Sequence, residues 1–432
     1  MNQSNGNGSP SMPRMARVRQ TFGRPVAEDP GAAVREEYAR LGIGPDLCGK
    51  RVGITVGSRG IGSVVPILQA LVAEVSASGG KPVLLSAMGS HGGGTEAGQK
   101  EVLDSLGITE EAIGAPVVTC AESVEIGRTP EGLVAYMLKS ALSVDAILPV
   151  NRLKVHTAFH GEVESGLYKM LVVGLGGPRG AAQFHSRGSA ELPHLLLSVG
   201  DVILEKMPVV AGFAIVENGY EETALIKGIP AAGLRDEEPN LLDYARSLMP
   251  SLPVLDLDAL IIEEMGKNYS GTGVDTNIIG RLRIEGVPEP ESPAIQKIAV
   301  LDLSEESHGN ANGIGLLDVT TDRLVSRMDL HATYLNCTTT GFLIRGATPV
   351  HLPTEREAIE LMLRSLGGKR PEEVRLIQIP NTLHLTECLV SEALLPEIGR
   401  NLDVEVLGEP TALAFDDKGE LVHRIGRHGS QG

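Results

Sequence analysis

The chain has 432 residues, 42% of them hydrophobic, and its 55 acidic side chains outnumber 38 basic ones, giving a formal net charge of −17 at pH 7. A chain of this length predicts two domains with sizeable cores. The acidic balance and the 3% aromatic content argue against nucleic acid as a partner, because phosphate binding needs clustered Lys and Arg and single strands need stacking surfaces.

Cysteine usage and hydropathy indicate the compartment. The four cysteines lie far apart and form no CxxC pair, so we expect reduced thiols in a cytoplasmic protein. The first 25 residues contain no continuous apolar segment, which argues against a secretory signal. No stretch reaches the roughly 20 apolar residues that cross a bilayer, so we expect no membrane partner.

Short strand-like runs alternate with helical stretches along the chain. Residues 1–30 are rich in Asn, Gly, Ser and Pro, which predicts a flexible tail. Apolar periodicity predicts helices at 63–78 and 98–106, and a capping box, Thr354 with Glu357, predicts another helix start. Strands are predicted at 51–56, 82–88, 145–150, 209–216, 259–265, 297–303, 374–380 and 402–407.

This alternation is typical of an α/β protein with mostly parallel sheets. The Pro-rich passage 249–258 predicts a hinge. We therefore expect an N-terminal α/β domain over 31–250, which carries the candidate site, and a C-terminal α/β domain over 251–432.

The segment "GITVGSRGIGS" (53–63) places a glycine-rich turn between a predicted strand and a predicted helix. Such a turn can bind an anion, because unpaired N–H groups at the helix start point toward it. The short-chain dehydrogenase pattern G-x-x-x-G-x-G fails at Val56, and no tyrosine has Lys four residues on. The turn therefore predicts an anion site with Arg59 at its tip, and it argues against a dinucleotide site.

A denser set of polar residues lies in "NRLKVHTAFHGEVESGLYKMLVVGLGGPRGAAQFH" (151–185). Its polar members are Lys154, His156, His160, Glu162, Glu164, Ser165, Lys169 and His185. The part "ESGLYKMLVVG" predicts a helix whose first turn, with Ser165 and Gly166, suits an anion. His91 lies in a matching loop, "GSHGGGTE", after another strand, and ligands in open α/β sheets bind at the carboxyl ends of strands. His156 and His160 have the spacing of zinc ligands on a helix, but no HExxH and no third ligand accompany them.

At these residues the sequence resembles the nickel-dependent lactate racemase family, whose members carry a nickel-pincer nucleotide. The resemblance covers the chain from about residue 50 to residue 410. Its markers are "GSHGGGT", "KVHTAFHGEVESGLYKMLVVGLG", His185, "EEMGKNYSGTGVDTNIIGR" and "DLHATYLNCTTTGF".

The resemblance implies two α/β domains with the cofactor site in the cleft between them. The implied cofactor is nickel pyridinium-3,5-bisthiocarboxylic acid mononucleotide. Lys169 matches the lysine that carries it in lactate racemase, and His185 matches the histidine that completes the nickel coordination. His91 and His156 match the acid and base that act on the substrate hydroxyl, and Arg59 matches the arginine that holds the substrate carboxylate. Whether Lys169 is covalently attached is left open.

The implied function is that of an isomerase, a racemase or epimerase that inverts C2 of a 2-hydroxy acid. Lys267 and Asn277 in the second half are candidates for substrate binding, or alternatively ordinary turn residues. The sequence departs from lactate racemase at three places, namely the glycines after His91, the segment "ESGLYK" and the additional His160. We therefore expect a 2-hydroxy acid other than lactate, larger or polyhydroxylated, and cofactor-synthesis proteins as partners. The sequence does not indicate the oligomeric state or the role of His160.

Two alternatives remain at this point. A non-catalytic nucleotide- or anion-binding homologue would keep the fold without the chemistry, although it would not need His91 and His156 as paired bases. An NAD(P)-dependent oxidoreductase would bind a dinucleotide at Gly57–Gly62, where Val56 and the missing Tyr-x-x-x-Lys count against it.

Overall fold

A computed structural model describes residues 12–58 and 60–426. The chain divides into two compact units, one formed by Gly23–Met249 and the other by Pro250–Gly432 together with Met1–Phe22. The division at Met249 and Pro250 lies within the Pro-rich passage in which the sequence predicted a hinge. We call these the N-terminal and C-terminal units and describe each by itself.

The beginning of the described chain belongs to the C-terminal unit. Strand β1 (Arg14–Gln20) pairs antiparallel with a strand near the other end of the chain, with Val18 opposite Cys388. Ala16 and Val18 are fully or almost fully buried in that sheet. The prediction of a flexible tail over 1–30 is therefore wrong for this segment, because its backbone pairs within the sheet and its alternate apolar side chains are buried in the core. Residues 1–11 lie outside the described part.

The N-terminal unit contains helices and strands in alternation. Its helices are α1 (Pro30–Leu41), α2 (Gly44–Leu47), α3 (Val64–Ala77), α4 (Glu96–Ser105), α5 (Glu110–Ile113), α6 (Leu167–Lys169), α7 (Gly177–His185), α8 (Leu192–Lys206) and α9 (Leu234–Ser247). Its strands are β2 (Arg51–Val56), β3 (Lys81–Ser86), β4 (Val117–Val118), β5 (Ser123–Arg128), β6 (Val134–Leu138), β7 (Ala146–Leu148), β8 (Val150–Arg152), β9 (Ala211–Glu217) and β10 (Thr223–Pro230).

Three sheets organise this unit. The order β4-β3-β2-β7 is parallel throughout. In the order β10-β9-β8, β8 runs parallel to β9 and β10 antiparallel to it, while β5 and β6 form an antiparallel pair. In the first sheet, β3 and β7 lie on opposite sides of β2. The chain thus changes direction across the sheet at β2, which is where open α/β sheets place their ligand crevice.

The C-terminal unit is built on one large sheet. Its helices are α10 (Thr276–Ile279), α11 (Asp322–Arg327), α12 (Leu330–Thr340), α13 (Glu355–Arg364) and α14 (Leu395–Ile398). Its strands after β1 are β11 (Asp256–Ile262), β12 (Ala294–Val300), β13 (Val319–Thr321), β14 (Val350–Leu352), β15 (Leu376–Ile379), β16 (Glu387–Ser391), β17 (Val404–Val406) and β18 (Thr411–Ala412).

This sheet has a parallel half and an antiparallel half. The strands β14-β13-β12-β11-β15 are parallel, and β16, β1 and β17 continue the sheet in antiparallel pairs, with β18 also paired to β1. The predicted class is confirmed: the protein is α/β with mostly parallel sheets. The predicted capping box is present too, since the Thr354 hydroxyl accepts from the N–H of Glu357 while the Glu357 carboxylate accepts from the N–H of Thr354. Within the described chain, no helix combines the length and apolar character that crossing a membrane requires.

Candidate functional site

The candidate residues of the N-terminal unit follow the carboxyl ends of its parallel strands. The glycine-rich turn follows β2, the His91 loop follows β3, and the polar segment 151–169 follows β7. Ends of neighbouring parallel strands meet at one edge of a sheet. An ideal Cβ at Gly57 would lie 3.3 Å from Met170 Cε and 3.9 Å from Asn151 Oδ1, so the turn and the polar segment meet there.

The glycine-rich turn after β2 already contacts a carboxylate of the chain itself. The N–H of Gly62 donates to Glu217 Oε1 over 2.9 Å, and the other oxygen of Glu217 pairs with Arg152. The protein thus supplies one anion at the turn where the sequence predicted an external one. Arg59, the predicted substrate ligand, lies outside the described residues, and its role stays a prediction.

The His91 loop packs against the helical stretch that ends in His185. The N–H of Gly89 donates to Gly174 O over 3.3 Å, and an ideal Cβ at Gly89 would lie 3.2 Å from Cβ of Ala181 in α7. His91 Nδ1 lies 2.9 Å from Met88 O. Since a carbonyl oxygen only accepts, Nδ1 carries the hydrogen, and in the neutral ring Nε2 is the nitrogen that can take a proton.

His156 is held in the opposite tautomer. The N–H of Ala158 donates to His156 Nδ1 over 3.1 Å, so this nitrogen accepts and the neutral ring carries its hydrogen on Nε2. The N–H of His156 itself donates to Glu164 Oε2 over 2.5 Å. In these neutral forms, His91 can accept a proton at Nε2, and His156 can donate a hydrogen bond from Nε2.

A chain of rings joins His156 to His185. The His156 ring lies 4.2 Å from the Phe159 ring, which lies 5.8 Å from Phe184, and Phe184 lies 5.2 Å from the His185 ring. The Lys169 ammonium lies over the Phe184 ring, 5.9 Å from its centre. Phe184 thus contacts Lys169 and His185 directly and reaches His156 through Phe159. Nothing in the sequence distinguishes Phe159 and Phe184 as site residues, because a buried phenylalanine is most often part of a core.

The environment of His185 keeps its imidazole neutral. Burial and, to a smaller extent, the neighbouring Lys169 ammonium lower its pKa to about 4. Burial disfavours the charged imidazolium, and a nearby positive charge acts in the same direction. At neutral pH His185 therefore presents an unprotonated nitrogen, the form in which histidine binds a metal.

The helix that carries Lys169 is less regular than predicted. It begins as α6 and continues as a π-helical turn over Met170–Gly174. Ahead of it, Lys154 N donates to Ser165 O over 2.9 Å, and Asn151 Nδ2 donates to Gly166 O over 2.8 Å. These bonds hold the start of the helix in place. The π-helical turn is a separate indication of function, because such turns are frequent at functional sites.

The position predicted for an anion at the start of this helix is occupied by a carboxyl group of the chain itself. The Glu238 carboxyl accepts from the N–H of Tyr168 over 3.0 Å, and it lies where a Cβ at Gly166 would be. Glu238 is 1% exposed, and burial raises its pKa to about 8. The interpretation of Ser165 and Gly166 as the cradle of an external anion is therefore not supported at the backbone of this turn. No local pattern points to Glu238, which lies 70 residues beyond Tyr168 in the chain.

Glu164 is a second buried carboxylate that organises the site. It is 1% exposed, and besides the N–H of His156 it accepts from Gly161 N over 3.3 Å, His160 Nδ1 over 3.3 Å and Arg246 Nη2 over 3.2 Å. It thereby fixes the loop that holds His156. His160 contacts this carboxylate, and since the segment 156–160 is not helical, the two histidines lack the helical arrangement of a zinc pair.

Lys267 and Asn277 lie in the C-terminal unit, after β11. Lys267 Nζ donates to Gly271 O and to Asn336 Oδ1, each over 2.6 Å. Asn277 donates from its N–H and its amide to Asp275 Oδ1, over 3.0 and 2.9 Å, at the start of α10. Both therefore hold local structure in the C-terminal unit. A role in substrate binding stays a prediction.

The donor atoms near Lys169 limit what metal they can hold. Within the described residues, no group of three or more His, Cys, Asp or Glu side chains is arranged to bind a metal ion. A neutral His185 beside a lysine does fit a metal that receives its other ligands from an organic cofactor. The residues present are thus compatible with the nickel-pincer nucleotide that the family resemblance implies.

Comparison with known proteins gives the fold. No protein-family model and no curated protein matches the sequence. Among solved structures, the lactate racemase apoprotein from Thermoanaerobacterium thermosaccharolyticum is similar, with a TM-score of 0.52, 11% sequence identity, and coverage of 85% of this chain and 99% of that one. A protein from Thermotoga maritima matches with a TM-score of 0.49, 13% identity, and coverage of 84% and 99%. The chain therefore has a lactate racemase-like fold.

Proposed function

We propose that the protein is a racemase or epimerase that inverts the C2 configuration of a 2-hydroxy acid with a nickel-pincer nucleotide. The observation that carries the proposal is the presence of two histidines, His91 and His156, on loops that pack around α7. An enzyme that inverts a hydroxylated carbon needs, on each side of the substrate, a group that can take the hydroxyl proton and return it. A protein that only binds a nucleotide needs neither.

The two histidines move the hydroxyl proton. One imidazole of the pair is neutral and takes the hydroxyl proton from the bound enantiomer. The other is an imidazolium and gives its proton to the oxygen of the planar keto form on the other side, so that the pair ends with its protonation exchanged, which is the state that the reverse reaction needs. When bound, the nickel-pincer nucleotide would supply the acceptor for the C2 hydrogen and its electron pair. Glu164 positions His156 through the backbone N–H, and the N–H of Ala158 contacts its Nδ1.

Lys169 and His185 are the residues that would hold the cofactor. Lys169 supplies an amine for its attachment, and His185 supplies a neutral nitrogen, a ligand type that nickel accepts. The rings of Phe159 and Phe184 form the apolar contacts between them and His156. In this proposal, Ser165 and Gly166 fix the position at which the helix of Lys169 begins, and they do not bind an anion.

The substrate is a 2-hydroxy acid other than lactate, because the loops beside His91 and Lys169 differ from those of lactate racemase. We assign Arg59 to binding of the substrate carboxylate. Lys267 and Asn277 are assigned to contacts with the rest of the substrate. A cytoplasmic location and dependence on cofactor-synthesis proteins follow from the same proposal. A dinucleotide-dependent oxidoreductase has less support, since the N–H of Gly62 donates to Glu217 in the turn that would bind the dinucleotide.

The test is interconversion of enantiomers. The protein is produced together with a cofactor-making pathway, incubated with single enantiomers of a panel of 2-hydroxy acids, and the products are separated by chiral chromatography. The His91→Ala and His156→Ala variants should each lose turnover by roughly 10²–10⁴-fold, whereas His194→Ala, an exposed histidine on α8, should retain it. A variant of His91 or His156 with unchanged turnover would contradict the assigned roles.

A further inference from the structure

The C-terminal unit contains a cavity of about 430 Å³ that the proposed function does not use. Its walls come from residues that follow β11, from residues that follow β15, and from the segment that ends at Gly426. Small-molecule sites have volumes of roughly 300–1,000 Å³. The cavity is therefore large enough for a small organic ligand.

The cavity lies at the point where the parallel half of the sheet changes direction. From β11 the chain proceeds outward through β12, β13 and β14, and β15 then returns to pair with the other edge of β11. In open α/β sheets, ligands bind outside the carboxyl ends of the two strands at such a reversal. The residues that follow β11 and β15 line this cavity, which gives it the position of a binding site.

Two carboxylates of the cavity have neutral partners. Glu263 is 3% exposed, and its oxygens accept from Gln378 Nε2 over 2.7 Å and from the N–H groups of Ile425 and Gly426 over 2.8 and 3.1 Å. Glu264 Oε2 accepts from the Tyr269 hydroxyl over 2.5 Å. Within residues 12–58 and 60–426, neither carboxylate forms an ion pair.

The other charged residues of the cavity are paired. Glu387 forms ion pairs with Arg17 over 3.2 Å and with Arg19 over 3.0 Å, and the Arg424 guanidinium pairs with Glu355. Arg424 thus has its own carboxylate partner elsewhere. The charged side chains that line the cavity are thus three carboxylates, Glu263, Glu264 and Glu387, and one guanidinium, Arg424.

The cavity wall also contains an amide, an imidazole and a phenol ring. Asn381 Nδ2 lies 3.1 Å from His384 Nδ1 and donates to it, so the neutral imidazole carries its hydrogen on Nε2. The Tyr269 and His384 rings meet edge to face, with centres 5.9 Å apart. Aromatic rings beside a carboxylate are a favourable surface for an ammonium group.

The geometry points to a binding site for a small organic molecule with a protonated amine, held by Glu264, Tyr269 and His384 at the β11–β15 reversal. The amine donates to the Glu264 carboxylate and the Tyr269 oxygen, and the aromatic rings contact its carbon skeleton. A metal ion is a poorer match, because no three His, Cys, Asp or Glu side chains are arranged to bind one within the described chain. The 2-hydroxy acid of the proposed reaction carries the opposite charge, and the residues assigned to it, Lys267 and Asn277, do not line this cavity.

Calorimetric titration of the full chain, without cofactor, with benzylamine tests the assignment. Benzyl alcohol and benzoate serve as neutral and anionic molecules of the same shape. The Glu264→Gln variant should bind benzylamine roughly tenfold or more weakly, because it removes a hydrogen bond to a charged group. Tyr269→Phe should weaken binding less, and Glu405→Gln, an exposed carboxylate on β17 that changes the net charge equally, should bind like the unchanged protein.

The outcomes either support the site or overturn it. Benzylamine binding that depends on Glu264 and exceeds binding of the alcohol and the acid supports it. Binding of all three molecules with equal affinity, or unchanged affinity in Glu264→Gln, overturns it. Tighter binding of benzoate than of benzylamine also overturns it. Circular dichroism of each variant verifies the fold, and none of these results depends on racemase activity.

Discussion

The buried carboxyl of Glu238 makes the stability of the N-terminal unit depend on pH. Its pKa is raised from 4.5 to about 8, mainly because burial disfavours the carboxylate, while the N–H groups of Tyr168 and Leu167 oppose that shift. The folded chain therefore binds this proton more tightly than the unfolded chain does. The resulting contribution to stability is fully present below pH 4.5 and is lost as the pH rises toward 8.

The magnitude follows from the difference in pKa. One pKa unit corresponds to about 1.4 kcal/mol, so ionisation costs roughly 5 kcal/mol of folding free energy at pH values above 8. Glu238→Gln removes the titration while keeping an oxygen that can accept from Tyr168 N–H. Relative to the unchanged protein, we expect the variant to gain about 3 kcal/mol in free energy of unfolding between pH 5.5 and pH 8.5.

Urea unfolding followed by circular dichroism at these two pH values measures the gain. Glu237→Gln is the matched control, since Glu237 is the exposed neighbour of Glu238 on the same helix and should show no such growth with pH. A Glu238→Gln difference that is constant with pH would refute the reasoning. It would mean that the start of α6 stabilises the carboxylate enough to offset its burial.

Two further predictions concern the same helix and its neighbour. Gly166→Ala introduces a Cβ that overlaps the buried carboxylate, so urea unfolding should show a loss of about 1–3 kcal/mol; Gly188→Ala, with open space around its Cβ position, should show none, and equal stabilities would contradict the packing. Lys169→Met removes the positive charge beside His185, so NMR titration of the cofactor-free protein should give His185 a higher pKa than in the unchanged chain. The exposed Lys206→Met serves as the control, and an unchanged His185 pKa in Lys169→Met would refute the proximity of the two side chains.

The sequence predicts the local elements well where a periodic apolar pattern is long. The strand 51–56 is found at its predicted bounds, and the helix 63–78 is found at Val64–Ala77. The pattern cannot predict a partner that lies far along the chain. The strand Arg14–Gln20 was not predicted, because its short apolar alternation forms a strand only through pairing with residues 387–391.

The same limit applies at the candidate site. A glycine-rich turn and a helix start are recognisable as anion sites, but whether the anion is a ligand or a side chain of the protein is decided by tertiary contacts. Here the carboxyl groups of Glu217 and Glu238 occupy those positions. The grouping of Lys169 with His185 was predictable only from the family resemblance, since Phe184, which connects them, has the signature of a core residue.

The central claim is that Lys169 and His185 hold a nickel-pincer nucleotide, and the most direct measurement is nickel content with intact mass. The protein is co-produced with a cofactor-making pathway, alongside a lactate racemase as the positive control for loading and Lys169→Arg as the negative control. We predict near-stoichiometric nickel and a mass increase that maps to the peptide containing Lys169. Neither nickel nor added mass, in cells where the lactate racemase is loaded, would contradict the account.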